Sequence, residues 1–206
     1  MNKVKFALTK INENKSKTYK ILIVDDDISI HEITKFILND FEYKDYKLEF
    51  ISAYSGKEAK EIIKNTSDIA VILLDVVMET NNTGFEVVKY VREKLNNYLV
   101  RIIIRTGQPG YAPEKEVISK YEINNYLEKT DADSTRFFTM IVVALRSYQD
   151  LISLQKKNEI ITYQSKMAAM GEMIENIAHQ WRQPLSIITT AAINVKLKDE
   201  MNNLNK

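Results

Sequence analysis

Five short runs of aliphatic and β-branched residues alternate with stretches of helical periodicity between Tyr19 and Lys129. This alternation restricts the possible folds more than any other feature of the chain. KILIVD (20–25), LEFISA (48–53), IAVILLD (69–75), VRIIIRT (100–106) and INNYLEK (123–129) read as strands. IHEITKFIL (30–38), SGKEAKEIIKN (55–65), GFEVVKYVREKL (84–95) and PEKEVISKY (113–121) read as helices, and a fifth begins near Ser134. Ser55 is expected to cap the second helix, and Pro113 to sit in the first turn of the fourth. Connections this short force parallel pairing with right-handed crossovers. IAVILLD is apolar throughout, as a central strand buried on both faces must be. The predicted fold is α/β: a doubly wound, five-stranded parallel sheet of order 2-1-3-4-5 over residues 19–133, preceded by a polar arm over 1–18.

Composition narrows the function classes. The chain carries 29 basic and 28 acidic residues, a balance that gives no reason to expect nucleic acid as a partner. It has no cysteine, which excludes disulfides and cysteine zinc sites and fits a reducing cytosol. No uninterrupted apolar run approaches the ~18 residues that span a bilayer. MNKVKFALTK lacks a signal-peptide core. The expectation is a cytoplasmic protein without a membrane span.

In a doubly wound sheet, ligands bind beyond the C-terminal ends of the strands. The first strand ends in Asp25, Asp26 and Asp27, the third in Asp75, the fourth in Thr106 and the fifth in Lys129. Two carboxylates 4 Å apart repel by about 4 kcal/mol at an effective dielectric of ~20, so such a rim calls for a cation. A hard divalent ion with oxygen ligands, Mg²⁺ first among them, suits it. The same arrangement makes Asp75 a nucleophile toward phosphorus, with Asp25 and Asp26 holding the metal. Lys129 and Thr106 then bind the incoming phosphoryl oxygens. Asp27 reads equally well as a helix cap. Tyr126 alone reads as a packed strand aromatic, and His31 as a structural or exposed residue at the start of the first helix.

ILIVDDD, ILLDVVM, RTG and NYLEK together resemble response-regulator receiver domains, and the resemblance covers residues 19–150. It implies a phosphoaspartate at Asp75. It implies Mg²⁺ held by Asp26, Asp75 and the Val77 main-chain carbonyl, with Asp25 acting mainly through water. It also implies Thr106 and Tyr126 as a switch pair, and a cognate histidine kinase or phosphotransfer protein as phosphoryl donor. The sequence departs from the pattern at Glu79, often proline, at Gly84, which comes one residue late, and at Thr130, usually proline. DVVMET and RTGQPGYAPE resemble a receiver subgroup joined to cyclic-di-GMP phosphodiesterase domains of the HD-GYP kind. That implies an alternative role in regulating such an enzyme.

Between Ser134 and Pro184 there is no other proline and a single glycine, Gly171. Phe138, Ile141, Leu145, Tyr148 and Ile152 repeat at 3-4-3-4 spacing, as do Ile160, Tyr163, Met167, Met170, Ile174, Ile177 and Trp181. The eight-residue step between the runs is a stutter. The pattern predicts that helix five continues through a linker (134–160) into a two-stranded coiled coil, and hence a homodimer. A long helix packed back on its own domain is the alternative.

SKMAAMGEMIENIAHQWRQPLSII resembles the dimerisation and phosphoacceptor segment of sensor histidine kinases, over 161–206. The matching positions are His179, Arg182, Pro184 and Leu185, and the resemblance implies a phosphohistidine at His179. His179 lies off the apolar seam, and Pro184 is expected to bend the helix just beyond it. Gln180 stands where an acid is usual, and Gln183 where threonine or asparagine is usual. With no glycine-rich ATP-binding segment, an ATP-binding domain is expected beyond residue 206, and no kinase activity from this chain alone. A receiver that dimerises and recruits a partner, with His179 inert, is a further reading.

Overall fold

The computed structural model describes residues 18–204 except 42, 45, 108–114 and 130–133. Of the arm expected over 1–18, residues 1–17 lie outside them, as do the helix start at Pro113 and the junction at Thr130, whereas Thr18 already belongs to the first strand. Five strands, β1 (Thr18–Val24), β2 (Lys47–Ala53), β3 (Ile69–Asp75), β4 (Arg101–Thr106) and β5 (Asn125–Glu128), form one parallel sheet of order β2-β1-β3-β4-β5. The helices are α1 (Ile28–Ile37), α2 (Gly56–Asn65), α3 (Thr83–Lys89), α4 (Lys115–Lys120) and α5 (Ser134–Leu204). The chain divides into two compact units, one ending at Ile152 and the other beginning at Ser153.

Strand alternation sorts the core into two layers. Leu22, Val24, Ile72, Leu74, Ile102 and Ile104 face Ala59 and Ile63 of α2 and Val87 and Val88 of α3. Ile21, Ile23, Val71, Leu73, Ile103 and Leu127 face Leu38, at the end of α1, and Phe137, Ile141 and Leu145 of α5. Every residue of β3 is buried, as its unbroken apolar sequence requires. Ser55 caps α2, its side chain accepting from the Glu58 amide.

The third helix departs from the uniform helix expected over 84–95. After Lys89 it widens into a π turn, Tyr90–Lys94. The turn carries Arg92, which is fully buried. Its guanidinium donates to the carbonyls of Tyr121, Asn97, Val100 and Glu122. Burial pulls its proton affinity down, to a pKa of about 10. One extra residue in the turn thus accompanies a cation that gathers the carbonyls of two loops.

α5 starts at Ser134 as expected, but its core face is shifted from the expected run. Phe137, Met140, Ile141, Ala144 and Leu145 are buried, whereas Phe138 is 42% exposed and its ring lies 4.9 Å from that of Phe41. Adjacent residues on a 3.6-residue helix share part of a face, and the larger cluster takes Phe137. By length and composition, part of α5 is apolar enough to cross a membrane, a test that core helices also pass, and some of that stretch is buried inside the domain. The sequence reading counted only uninterrupted apolar residues and so did not register this stretch.

In the second unit the helix continues through Pro184. The apolar stripe from Ile160 to Trp181 is exposed at every one of its seven positions.

Candidate functional site

β1 delivers Asp25 to the rim and β3 delivers Asp75, and both are buried. Asp26, one residue along, is exposed. One carboxylate oxygen from each of the three lies within 4.8 Å of the others. Lys129 follows β5, and its amide donates to the Thr106 carbonyl at 2.8 Å, which fixes the lysine at the end of β4. Its Nζ lies 3.0 and 2.9 Å from the two Asp25 oxygens and 2.8 Å from Asp75 Oδ2. The four residues that the sequence placed at three strand ends therefore form one cluster. Three oxygen-donor carboxylates at this spacing fit a hard divalent cation.

The neighbouring backbone completes the frame. Asp27 takes the capping role: its Oδ1 accepts from the Ser29 amide at 2.9 Å, and its own amide donates to Asp25 Oδ1 at 3.0 Å. The cap holds the Asp27 carboxyl below the usual carboxylate range. Val77, half-buried in the loop after β3, donates its amide to Asp75 Oδ1 at 3.3 Å. Gly84 donates to the Val76 carbonyl at 3.0 Å, and a Cβ on it would stand 2.2 Å from the Asp75 carbonyl oxygen. The glycine that arrives one residue late therefore still lies where the chain passes Asp75. Glu79 has its own function: its Oε1 accepts from the Gly56 amide at 3.0 Å, tying the loop after β3 to the start of α2.

Burial pushes the Asp75 carboxyl above its usual range, against the opposing pull of Lys129. At Lys129 burial works against the ammonium, but hydrogen bonds to Asp25 and Asp75 outweigh it and its pKa is raised. Thr106 is fully buried at the end of β4, and Tyr126 is half-buried on β5 against the layer under α2 and α3. His179 is exposed on the second unit, beside Gln180, Arg182 and Gln183.

His31, read as structural or exposed, is buried and structural. Its Nε2 lies 2.9 Å from the Asp25 carbonyl and its Nδ1 3.0 Å from Ser52 Oγ. A carbonyl only accepts, so Nε2 carries the proton and Nδ1 accepts from the serine. His31 thereby ties α1 and β2 to the backbone of Asp25. The spacing of His31, Thr34 and Leu38 on one helix face carried that signal.

Residues 21–142, more than half of the chain, match the family described as the response regulator receiver domain. The chain is 45% identical over 135 residues to the 3'3'-cGAMP-specific phosphodiesterase 2 of Vibrio cholerae serotype O1, covering 66% of this chain and 26% of that protein. It thus spans about a quarter of that relative. The structure is similar to a response regulator receiver domain protein from Clostridium thermocellum (TM-score 0.53, 22% identity, 65% of this chain and 98% of that one). It is likewise similar to the signal receiver domain of an HD domain-containing protein from Pseudomonas fluorescens Pf-5 (TM-score 0.54, 18% identity, 65% and 99%).

Proposed function

The chain belongs to the response regulator receiver family, and from that premise we propose that it accepts a phosphoryl group on Asp75 and passes the change along α5. The carrying observation is the Lys129 ammonium bridging two buried carboxylates, Asp25 and Asp75, beside Asp26. The donor is a phosphohistidine on a cognate histidine kinase or phosphotransfer protein. An Asp75 oxygen attacks phosphorus, the O–P bond forms, the N–P bond breaks, and the imidazole leaves with the electron pair. Lys129 meets the phosphoryl oxygens, and the Thr106 hydroxyl donates to one of them. Tyr126, the other half of the switch, follows Thr106. Asp25, Asp26 and Asp75, with the Val77 carbonyl, would hold Mg²⁺, which neutralises charge on the transferring group.

α5 carries the output. Its exposed stripe from Ile160 to Trp181 supports a two-stranded coiled coil between two copies. We place the protein in the cytoplasm. We read the segment bearing His179 as the phosphoacceptor part of a histidine kinase, served by an ATP-binding domain that this sequence does not include. A second reading is favoured by one observation. The match to a 3'3'-cGAMP-specific phosphodiesterase supports a receiver that regulates a cyclic-dinucleotide phosphodiesterase.

The test is phosphoryl transfer to the purified chain, from acetyl phosphate with Mg²⁺ and separately from a kinase domain with ATP. Intact mass and acid lability are read for wild type, Asp75→Asn and His179→Ala. An acyl phosphate lost in Asp75→Asn is expected, and its persistence there would refute the assignment. An acid-labile phosphate lost in His179→Ala supports the kinase reading, and none at all supports the second. Sedimentation of Ile174→Glu against wild type tests the dimer: an unchanged mass would remove the coiled coil.

A further inference from the structure

β4 ends in two consecutive residues that face opposite sides of the sheet. Thr106 continues the alternation of Ile102 and Ile104, toward the layer under α2 and α3. Arg105 continues that of Ile103, toward the layer under α1 and α5. The sequence analysis gave Arg105 no role, although it stands directly opposite Asp75 in the sheet register. Its side chain is buried, 6% exposed. Nη1 donates to Thr34 Oγ1 on α1 at 2.6 Å, and the guanidinium carbon lies 5.0 Å from the ring centre of Phe137, in the first turn of α5. Among the described residues Nε has no hydrogen-bond partner, and no carboxylate forms an ion pair with Arg105. Burial pulls its proton affinity down, while the charges of Asp25 and Asp75 push it back up. The field of the acidic cluster therefore reaches this guanidinium.

We propose that Arg105 is a positioning residue that couples charge at Asp75 to the first turns of α5, in parallel with Thr106 on the other face. This rests on the reading of Asp75 as phosphoacceptor. A buried cation without an ion-pair partner is held by one hydroxyl and one aromatic face, two modest contacts. An aspartyl phosphate carries more negative charge than the carboxylate it replaces. The added charge draws the guanidinium toward the strand end and weakens its hold on Thr34 and Phe137. The ring of Phe137 is part of the core that seats α5, so the helix responds at its root.

The test is hydrogen exchange of the amides in 134–145, with and without beryllofluoride and Mg²⁺, in wild type, Arg105→Met, Phe137→Leu and Thr34→Val. Occupancy of Asp75 is read independently by fluorine NMR. In wild type, beryllofluoride is expected to change exchange at these amides about fivefold or more. In Arg105→Met and Phe137→Leu it changes little, at an Asp75 occupancy within about threefold of wild type. A wild-type-sized response in a fluoride-loaded Arg105→Met protein overturns the inference. So does a loaded wild type whose α5 amides do not respond. If Arg105→Met does not fold, Phe137→Leu and Thr34→Val decide the matter by the same criterion. Failure of wild type itself to bind beryllofluoride at Asp75 overturns the phosphoacceptor reading instead.

Discussion

The Lys129 ammonium lies 2.8 Å from Asp75 Oδ2, yet the two groups respond to the contact in unequal measure. The pair holds the lysine proton more firmly than usual, whereas burial still leaves the aspartate easier to protonate than usual. The asymmetry follows from partner count. Lys129 faces two carboxylates, while Asp75 shares its one ammonium with Asp25. Replacing Lys129 by methionine leaves two buried carboxylates facing each other. Breaking a buried pair costs about 3–5 kcal/mol, and the partial exposure of Lys129 points to about 3 kcal/mol here. Urea unfolding at pH 7 should show that loss. At pH 4 the loss should shrink, because a protonated Asp75 no longer repels Asp25. An equal loss at both values would mean that the lysine stabilises by packing alone.

Asp75→Asn should act in the opposite direction. The folded-state pKa of Asp75 is raised, so the native protein binds its proton more tightly than the unfolded chain does. Stability is therefore greatest below the ordinary carboxyl range, falls as pH rises through the folded-state value, and stays lower above it. Asparagine removes that penalty at neutral pH. In EDTA at pH 7 the variant should melt about 2–6 °C above wild type, and the gap should close on acidification. A variant that melts below wild type at pH 7 would show that the contact with Lys129 outweighs burial.

The rim residues were readable in the sequence because strand ends in a doubly wound sheet converge, so residues far apart in sequence such as Asp25 and Lys129 need only end their strands to meet. IAVILLD announced a central strand because both its faces are covered. What escaped reading depended on partners rather than pattern. Nothing in VRIIIRT discloses that the second of its two arginines, Arg105, reaches Thr34 and Phe137. Glu79 looked like a departure until the Gly56 amide was seen beneath it. Phe137 and Phe138 are neighbours of equal size, and only the shape of the Leu38, Phe41 and Leu145 layer decides which enters the core. The π turn likewise depends on carbonyls that Arg92 meets only after folding.

Two glycine substitutions should separate close approach from helix propensity. A Cβ at Gly84 would meet the Asp75 carbonyl oxygen at 2.2 Å and Val76 Cα at 2.8 Å. Backbone atoms cannot yield as a flexible side chain does, so Gly84→Ala should cost about 3 kcal/mol in urea unfolding. It should also slow acetyl-phosphate labelling, since Asp75 moves with its backbone. At Gly171, beyond the helix's own backbone, no atom of the described residues lies within 4 Å of the added carbon. Gly171→Ala should raise helix stability by up to about 1 kcal/mol and leave labelling of Asp75 unchanged. Normal labelling in Gly84→Ala would mean that the loop after β3 relaxes without disturbing the site.

At the start of β1, the Tyr19 ring stacks on Tyr46 with centroids 4.4 Å apart, and its buried hydroxyl has no hydrogen-bond partner among the described residues. Burial, reinforced by the neighbouring phenols of Tyr46, Tyr43 and Tyr148, pushes its pKa up to about 12. The folded-state value is raised, so the neutral phenol's contribution is fully present below pH 10, the unfolded value, and is lost as pH rises through about 12. Tyr19→Phe keeps the ring and removes both the orphan hydroxyl and its titration. Below pH 10 the variant should gain about 1 kcal/mol, the scale of desolvating an unpaired hydroxyl. Between pH 10 and 12 wild type should weaken relative to the variant, because only wild type must keep that phenol protonated. The other tyrosines are common to both proteins, so the difference between their urea midpoints at pH 8 and pH 11 isolates this one group. A difference that stays flat across that interval would mean that Tyr19 ionises as freely in the folded sheet as in the unfolded chain.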